Sequence, residues 1–437
     1  MRLLYFIFWL GLGFSFRLFF RRIAAVRPNP NRFGRTIFVS NHPSAFLDPL
    51  LIASARKPVV YFMTRSDVFN WFTKPLFWLA QMIPIYRAQD GGNSQEKNKK
   101  VFKKATETLA KNRNLLIFGE GLTDDIFERK LKPIKKGAIR IGFTALEDLD
   151  WKYPISVQGL GINYTNPGVL RSDVLISAAE PIVLNDFKEA YLENPNRVIT
   201  ELNRELENRM QQQITHLNNK EDMRLHEHLM MLSRKGMHVH CFDSNLSLFD
   251  RWSYSQKLAA FIEQSNAQIK EDLHVLGQEI ECYIQDLERH KLSEAELYWF
   301  AIERNWRMRT FLKCLVQLPC FILGLIPVGI PFWGVKKFVE RKMKRPVFWS
   351  STKMGMLLVL IPLWTLILLQ IVSSYFQLNL WVWLSVVLGM NVISLGFYLF
   401  MKNFKLLVKA ANFNAQKLNT FVNHRETLVG KLDLFQF

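Results

Sequence analysis

Two uncharged apolar segments near the end of the chain constrain its fold more than any other feature. Residues 354–372 and 378–400 contain no charged side chain. A helix rises about 1.5 Å per residue, so each segment is long enough to cross the roughly 30 Å hydrocarbon core of a bilayer. Lys353 precedes the pair and Lys402 follows it, whereas the link between the two segments is uncharged. Because basic residues remain on the cytoplasmic side, we predict a transmembrane hairpin over residues 354–400 with both ends in the cytoplasm.

A third apolar segment, residues 311–333, has a different character. It contains Lys313, three prolines and two glycines, and basic residues flank it on both sides. Equal positive flanks disfavour a single crossing, and prolines break a helix. We therefore predict a re-entrant or interfacial segment here, within a membrane region that spans residues 311–405. Residues 406–437 follow as a C-terminal tail.

The N-terminus carries a shorter apolar run, residues 3–16, which is followed by Arg17, Arg21 and Arg22. The run is short for a full crossing, and no small-residue cleavage site follows it, so a signal peptide is not predicted. We expect residues 1–28 to form a membrane-associated helix whose arginines lie at anionic headgroups. Together with the C-terminal segments, this predicts an integral membrane protein.

The charge of the chain is strongly positive. It has 57 Lys and Arg against 38 Asp and Glu in 437 residues, a formal net charge of +19. A basic chain with apolar segments most often faces anionic lipid or nucleic acid, and its charge also attracts phosphorylated small molecules. The lysine-rich stretch at 97–113 lacks the repeated aromatic residues on which bases stack. Membrane lipid is therefore predicted as a partner, and nucleic acid is not expected.

Cysteine and histidine usage indicates neither disulfides nor a metal. The four cysteines, at positions 241, 282, 314 and 320, form no CxxC pair. We read them as free thiols in a reducing compartment. The sequence HVHC at 238–241 has metal-ligating residue types but no matching second cluster, so no metal site is predicted.

The middle of the chain divides into two regions by its periodicity. Residues 186–310 have helical spacing with many charges and no strand pattern, which predicts a helical region. Residues 30–185 alternate short β-branched or apolar runs with amphipathic stretches, which predicts an α/β domain: a mixed sheet flanked by helices. The predicted strands are residues 36–39, 59–63, 82–85, 115–118, 155–162 and 173–178.

Polar clusters follow the predicted strands of this domain. TIFV is followed by SNHPSAFLD, MIPI by YR, LLIF by GEGLTD, and ISVQGLGI by NY. The carboxyl ends of strands in α/β sheets are where ligand and active sites form. Four such clusters in one domain therefore predict a site at this edge of the sheet.

His42 and Asp48 belong to the first cluster. Six positions on one continuous helix would separate them by about 240°, and Pro49 disfavours such a helix. We instead predict a strand, a turn, and a helix that begins at Pro49 with Asp48 as its N-cap. Asp48 could then also accept the imidazole N–H of His42, which would leave the other ring nitrogen to take a proton from a substrate hydroxyl. No GxSxG motif offers a protein nucleophile.

The other clusters supply candidate substrate contacts. Arg87 follows a predicted strand, and its guanidinium presents a fork of donors suited to phosphate. Gly119 and Gly121 flank Glu120 in FGEGLTD, where glycines permit close backbone approach to a ligand. Glu120 could bind a substrate hydroxyl or hold a basic neighbour; the alternative is a tight turn with an exposed acid.

In this order, the clusters resemble those of the glycerolipid acyltransferase family over about residues 30–185. The matching blocks are NHPSAFLDP, MIPIYR, FGEGLTD and LGINY. Five residues separate His42 from Asp48 where the common bacterial lysophosphatidate enzymes have four, and this spacing is similar to fungal-type glycerol-3-phosphate and dihydroxyacetone-phosphate acyltransferases. Gly119 replaces the usual proline, and LTD replaces the family's Thr-Arg, which leaves the acceptor contact of that arginine unassigned.

The resemblance implies a membrane-bound O-acyltransferase with its active site facing the cytoplasm. His42 would be the general base and Asp48 would orient it. Arg87, Gly119, Glu120 and Gly121 would bind substrate. The donor would be an acyl thioester, acyl-CoA or acyl carrier protein, and the acceptor a phosphoglycerol used in phospholipid biosynthesis. No cofactor or metal is implied.

Three other functions remain open. Within the family, lysophosphatidate is the alternative acceptor to glycerol-3-phosphate. A thioesterase or lipase on the same fold would use water as the acceptor. From a different class, a non-enzymatic basic membrane protein could bind a partner or nucleic acid through the helices of residues 186–310.

Overall fold

The computed structural model describes residues 2–26, 34–55, 60–66, 69, 71, 74, 77–78, 81–86, 94–121, 123–241, 246–303 and 305–435. The chain forms two units. The first comprises the chain up to Asn218 together with Ser247–Gln256. The second comprises Asn219–Leu246 and the chain from Lys257 onward.

The first unit is built on a mixed sheet of eight strands, in the order β1-β7-β6-β2-β5-β3-β4, with β8 paired to β6. Most neighbours are parallel, and only the pairs that β6 forms with β7 and β8 are antiparallel. The strands are β1 (Arg22–Val26), β2 (Arg35–Ser40), β3 (Val60–Arg65), β4 (Met82–Ile85), β5 (Asn114–Phe118), β6 (Ile155–Tyr164), β7 (Asp173–Ala178) and β8 (Ile182–Val183).

Helices flank this sheet, so the predicted α/β class is confirmed. For example, α4 buries Ile139, Phe143 and Leu146 completely in the main apolar core, as expected for a helix with one apolar face. The described helices are α1 (Arg2–Phe19), α2 (Leu47–Ala55), α3 (Ser94–Ala110), α4 (Gly137–Asp148), α5 (Lys188–Glu193) and α6 (Pro195–Gln211).

The N-terminal region differs from the predicted helix over residues 1–28. The helix ends at Phe19, and Arg22–Val26 instead form an edge strand parallel to β7. Arg171 explains where the helix stops, because its guanidinium donates to the carbonyls of Arg17, Leu18 and Phe20. These bonds satisfy acceptors that a helix end leaves unpaired. The sequence concealed this cap because Arg171 lies more than 150 positions away.

The topology brings the predicted clusters to one edge of the sheet. Strand β2 lies parallel to and between β5 and β6, so all three end at the same edge. The residues that follow Ser40 and Phe118 are therefore neighbours of Tyr164. Strand β7 is antiparallel to β6 and begins at this edge with Asp173.

The second unit is helical. Its helices are α7 (Lys220–Ser233), α8 (Leu248–Gln264, which starts in the first unit), α9 (Ala267–Arg289), α10 (Glu294–Leu297), α11 (Trp306–Gly324), α12 (Ile330–Lys342), α13 (Trp349–Ser373), α14 (Leu380–Ala410) and α15 (Ala415–Leu432).

Three helical stretches of this unit are long and apolar enough to cross a membrane: Trp306–Lys342, Pro346–Ser373 and Leu380–Ala410. The second contains residues 354–372 of the predicted hairpin, and the third contains residues 380–400 of the segment predicted at 378–400. The first is continuous through a π-helical turn at Leu325–Gly329, so residues 311–333 are helical throughout. That they follow a re-entrant or interfacial path stays a prediction.

Small residues bring two of these helices together. A Cβ added at Gly396 of α14 would meet Cys320 of α11 at 2.5 Å, and one added at Gly324 would meet Phe397 at 3.2 Å. Close approach at glycines is typical of helices that pack in lipid, where burial of apolar area does not drive association.

Candidate functional site

The first cluster is fixed to the sheet by Asn41. Its side-chain amide donates to the carbonyl of Ile162 at 3.1 Å, and its side-chain oxygen accepts from the same residue's N–H at 2.8 Å. This pair of bonds extends the β2–β6 ladder by one side chain beyond Ser40. The next residue, His42, therefore leaves the sheet from a defined position.

His42 and Asp48 meet as the turn model predicted. The Nδ1 of His42 lies 2.8 Å from Oδ2 of Asp48. The predicted helix start was wrong, because α2 begins at Leu47 and Asp48 is its second residue rather than its N-cap. Instead of capping the helix, Oδ2 accepts the N–H of Ser44 at 2.8 Å, which closes the turn between the two residues.

Asp48 has a third donor that the sequence did not reveal. The hydroxyl of Tyr164, at the end of β6, donates to Oδ1 of Asp48 at 2.8 Å. Asp48 is completely buried, and a buried carboxylate stays ionised only if donors or cations replace its lost water. Asp48 thus receives hydrogen bonds from an imidazole, a backbone amide and a phenol.

The imidazole of His42 is partly accessible. Its ring stacks on Phe118 with centroids 4.1 Å apart, and about 20% of the side chain is exposed. With Nδ1–H directed to a carboxylate, the neutral ring carries its lone pair on Nε2. Among the residues that the structure describes, none bonds to Nε2. An imidazole held in this way can accept a proton from a hydroxyl at Nε2.

Glu120 lies beside His42 and braces two loops. Its Oε2 accepts the backbone N–H of His42 at 3.1 Å, and its Oε1 accepts that of Lys132 at 3.3 Å. Burial raises the pKa of Glu120 to about 7, against the lowering effect of these two bonds and of the Lys132 charge. Of the two readings of Glu120 from sequence, the exposed turn is wrong, since the residue is only 7% exposed.

The two glycines around Glu120 differ in their surroundings. Gly121 has φ +72°, a conformation that glycine adopts without a Cβ penalty, and its N–H closes a turn onto Phe118. Gly119 is buried, and an added Cβ would lie 2.8 Å from Val39 and 2.9 Å from Ile134. Its own amide and carbonyl bond to Ser40 and Lys135. The position at which the resembling family usually has proline is thus filled by a glycine, whose small size the packing requires.

A polar cleft opens in front of His42. Lys132 forms an ion pair with Asp124 at 2.6 Å, and Lys130 donates to the carbonyl of Asn218 at 2.8 Å. Arg87 lies outside the described residues. The lining residues are Asn41, His42, Pro43, Glu120, Asp124, Ile126, Glu128, Lys130 and Lys132.

A second buried carboxylate, Asp173, lies at the same edge and is surrounded by arginines. Arg21, Arg22 and Arg251 donate to it at 2.5 to 3.1 Å, and Arg251 is itself buried. Burial raises the pKa of Asp173, but the bonds and charges of Arg21 and Arg22 outweigh it and lower the pKa to about 2. Arg21 and Arg22, two of the three arginines that were predicted to face lipid headgroups, therefore join the end of α1 and the start of β1 to β7.

Comparison with known proteins adds to this geometry. Residues 26–157 match the model of the family described as Acyltransferase. No curated protein matches the sequence. Among solved structures, the chain is similar to the 1-acyl-sn-glycerophosphate (LPA) acyltransferase PlsC of Thermotoga maritima, with 16% identity over 46% of this chain and 79% of that chain and a TM-score of 0.31. The family match spans all six predicted site residues, so the mixed sheet and its flanking helices form an acyltransferase-like domain.

Proposed function

We propose that this protein is a membrane-bound O-acyltransferase that moves a fatty acyl group from an acyl thioester to the hydroxyl of glycerol-3-phosphate. The observation that carries the proposal is the His42–Asp48 pair. Its buried member holds Nδ1 at 2.8 Å, and its partly exposed member lines a polar cleft. The match of residues 26–157 to the acyltransferase family supports the same reaction.

In the proposed reaction, His42 carries one proton while a C–S bond is exchanged for a C–O bond. Nε2 of His42 removes the proton of the acceptor hydroxyl as its oxygen attacks the thioester carbonyl carbon. The new C–O bond forms, the C–S bond breaks, and the imidazolium returns the proton to the leaving thiolate. Asp48 stabilises the imidazolium and stays ionised throughout.

The rest of the site is assigned to binding. Arg87 and the cleft lysines, Lys130 and Lys132, supply positive charge for the acceptor phosphate. Glu120 lines the same cleft, and Gly121 follows it with the positive φ that the turn requires. Gly119 serves this role indirectly, because its backbone is already bonded and its lack of a side chain lets the turn pack on Val39.

Glycerol-3-phosphate is proposed as the acceptor from the five-residue spacing between His42 and Asp48. Lysophosphatidate is the alternative acceptor, and the three long apolar helices suit a protein that handles either lipid product. For both acceptors the nucleophile is a hydroxyl on a phosphoglycerol. The chemistry at His42 is therefore the same, and the acceptor is decided by assay. We also propose that the active site faces the cytoplasm, the side on which the positive-inside rule predicts the lysines that flank the hairpin.

The test is a matrix of donors and acceptors with detergent-purified protein, followed as release of free thiol. Acyl-CoA and acyl carrier protein are each paired with glycerol-3-phosphate, dihydroxyacetone phosphate, lysophosphatidate or water. We expect thiol release to require a phosphoglycerol, and His42→Ala to lower it about 10²–10⁴-fold, the usual contribution of a general base.

The matched control is His274→Ala, which removes a partly exposed histidine from the helical unit and should leave the rate unchanged. A wild-type level of acyl transfer in His42→Ala would remove the proposed base. Thiol release with water alone would point to a thioesterase instead, and salt-sensitive oligonucleotide binding without any release would favour the non-enzymatic reading.

A further inference from the structure

The charge of Asp48 is held in an unusual way for a buried carboxylate. Asp173, in the same unit, is surrounded by arginines. Asp48 is completely buried, and in the described part of the chain no lysine or arginine bonds to it. Its hydrogen-bond donors are His42, Ser44 and Tyr164. Two of these donors are neutral, so the anion depends on hydrogen bonds rather than on a countercharge.

We propose that Tyr164 is a positioning residue of the active site. Its hydroxyl holds Oδ1 of Asp48, so that the carboxylate stays ionised and its Oδ2 stays directed at His42. Tyr164 acts on the reaction only through these two residues. The proposal deepens the proposed function, on which its kinetic consequences rest, and assigns a role to a residue that lies beyond the family-matched region.

Tyr164 is well placed to be a fixed donor. It is completely buried, and burial together with the nearby Asp48 charge raises its pKa, so the phenol keeps its proton. Its ring stacks on Phe20 with centroids 5.7 Å apart. Its backbone pairs with Val174 of β7, and its carbonyl accepts a bond from Arg129 at 3.2 Å. Ring and backbone are therefore held without the hydroxyl, whose visible partner is Asp48.

Removal of the Tyr164 hydroxyl should shift the pH dependence of the rate in one defined direction. Hydrogen bonds to an anion lower its affinity for protons. With one donor fewer, Asp48 attracts the proton of the His42 imidazolium more strongly, so the ring becomes a free base only at higher pH. The acid limb of the rate profile should therefore move to higher pH in Tyr164→Phe.

The other charged groups around the pair are Glu120, Lys132 and Arg129, together with three more that line the cleft: Asp124, Glu128 and Lys130. Glu120 bonds to the backbone of His42 and feels the charge of Asp48, and it also titrates near neutral pH. Lys132 faces Glu120, and Arg129 bonds to the backbone of Tyr164 rather than to its hydroxyl. The profile of Tyr164→Phe must therefore be compared with that of Glu120→Gln, in which this second titration is absent.

The experiment measures acyl transfer against pH in wild type, Tyr164→Phe and a control, Tyr191→Phe. Tyr191 is also buried in this unit and also bonds through its hydroxyl to a carboxylate, Glu147. Loss of a hydrogen bond to a charged group should lower kcat about 10- to 100-fold in Tyr164→Phe, the factor that corresponds to the energy of such a bond. We expect the acid limb of the rate profile to shift upward by about one pH unit in Tyr164→Phe, and to shift in the same way when Tyr164→Phe is combined with Glu120→Gln. We expect no change in Tyr191→Phe.

A second readout does not depend on turnover. Protein labelled with ¹⁵N-histidine contains nine histidines, and His42→Gln identifies the resonances of His42. We expect the ring of His42 to titrate at higher pH in Tyr164→Phe than in wild type. An unshifted titration in a folded Tyr164→Phe protein would overturn the positioning role, even if acyl transfer proved absent from all proteins. Acyl transfer that is absent while the titration shifts would overturn the proposed function and leave the role of Tyr164 intact.

Discussion

Both units bury carboxylates, and Glu294 of the helical unit is stabilised differently from Asp48 of the α/β unit. In the helical unit, Glu294 is 2% exposed and accepts bonds from Arg234 at 2.7 Å, Arg425 at 2.6 Å and the hydroxyl of Tyr283 at 2.5 Å. These partners come from three separate stretches of the unit. In the α/β unit, Asp48 also accepts from a tyrosine hydroxyl, but a histidine stands where Glu294 has arginines.

This difference separates a structural charge from a chemical one. An arginine is always protonated, so a carboxylate that faces two arginines forms a permanent ion pair that joins helices. A histidine gains and loses its proton near neutral pH, so the carboxylate behind it can govern a proton transfer. The same contrast holds within the first unit, where Asp173 faces arginines and Asp48 does not. Burial alone therefore does not distinguish a structural carboxylate from one that can take part in a proton transfer.

The largest effect is expected for Asp48→Asn. The substitution removes the charge that stabilises the imidazolium and can turn the ring to the wrong tautomer, so kcat should fall about 10³–10⁴-fold. The midpoint temperature of thermal unfolding of the purified variant should stay close to that of wild type. A comparable fall in kcat in Asp173→Asn, with no loss of stability, would erase the distinction between the two carboxylates.

A smaller effect, on stability rather than rate, is expected for Glu294→Gln. Loss of one member of a buried ion pair leaves the arginines unpaired and typically costs about 3–5 kcal/mol of unfolding free energy. The control is Glu279→Gln, which breaks an exposed pair with Lys431 and should cost less than about 1 kcal/mol. Denaturant unfolding measures both. Equal stability of the two variants would contradict a structural role for Glu294, as would a rate loss in Glu294→Gln protein that remains folded.

The smallest effect concerns Glu120 and pH. Because its pKa is raised to about 7 in the folded protein, the folded state binds this proton more tightly than the unfolded state does. Glu120 therefore favours folding below its ordinary pKa of about 4.5, and that contribution is lost as pH rises through about 7. A shift of this size corresponds to about 3 kcal/mol at most. The unfolding free energy measured from pH 4 to pH 8 should fall less steeply in Glu120→Gln than in wild type; identical slopes would argue against a buried titrating Glu120.

Local sequence patterns predicted the sheet well but not the contacts that complete the site. All six predicted strands are present, because runs such as 155–162 and 173–178 combine apolar residues with clear boundaries. Strand β1 was missed because its residues were assigned to the N-terminal helix, and its pairing with β7 depends on a partner about 150 positions away. Periodicity carries no information about such a distant partner.

The site shows the same division. The turn that joins His42 and Asp48 was predicted from helix geometry and Pro49, because both residues lie within one short stretch. The hydroxyl of Tyr164 is 116 positions from Asp48, and Glu120 is 78 positions from His42, so their bonds follow from sheet order rather than from any local motif. The one available signal was that NY, like NHP and GEG, directly follows a predicted strand; in the structure, Asn163 and Tyr164 are the last two residues of β6.

The most direct test of the proposed function is mass-spectrometric identification of the product formed by purified protein from glycerol-3-phosphate and an acyl thioester. We expect an acylated phosphoglycerol that appears in step with thiol release in wild type and is almost absent in His42→Ala. Equal product from both proteins, or thiol release that yields only free fatty acid, would contradict it.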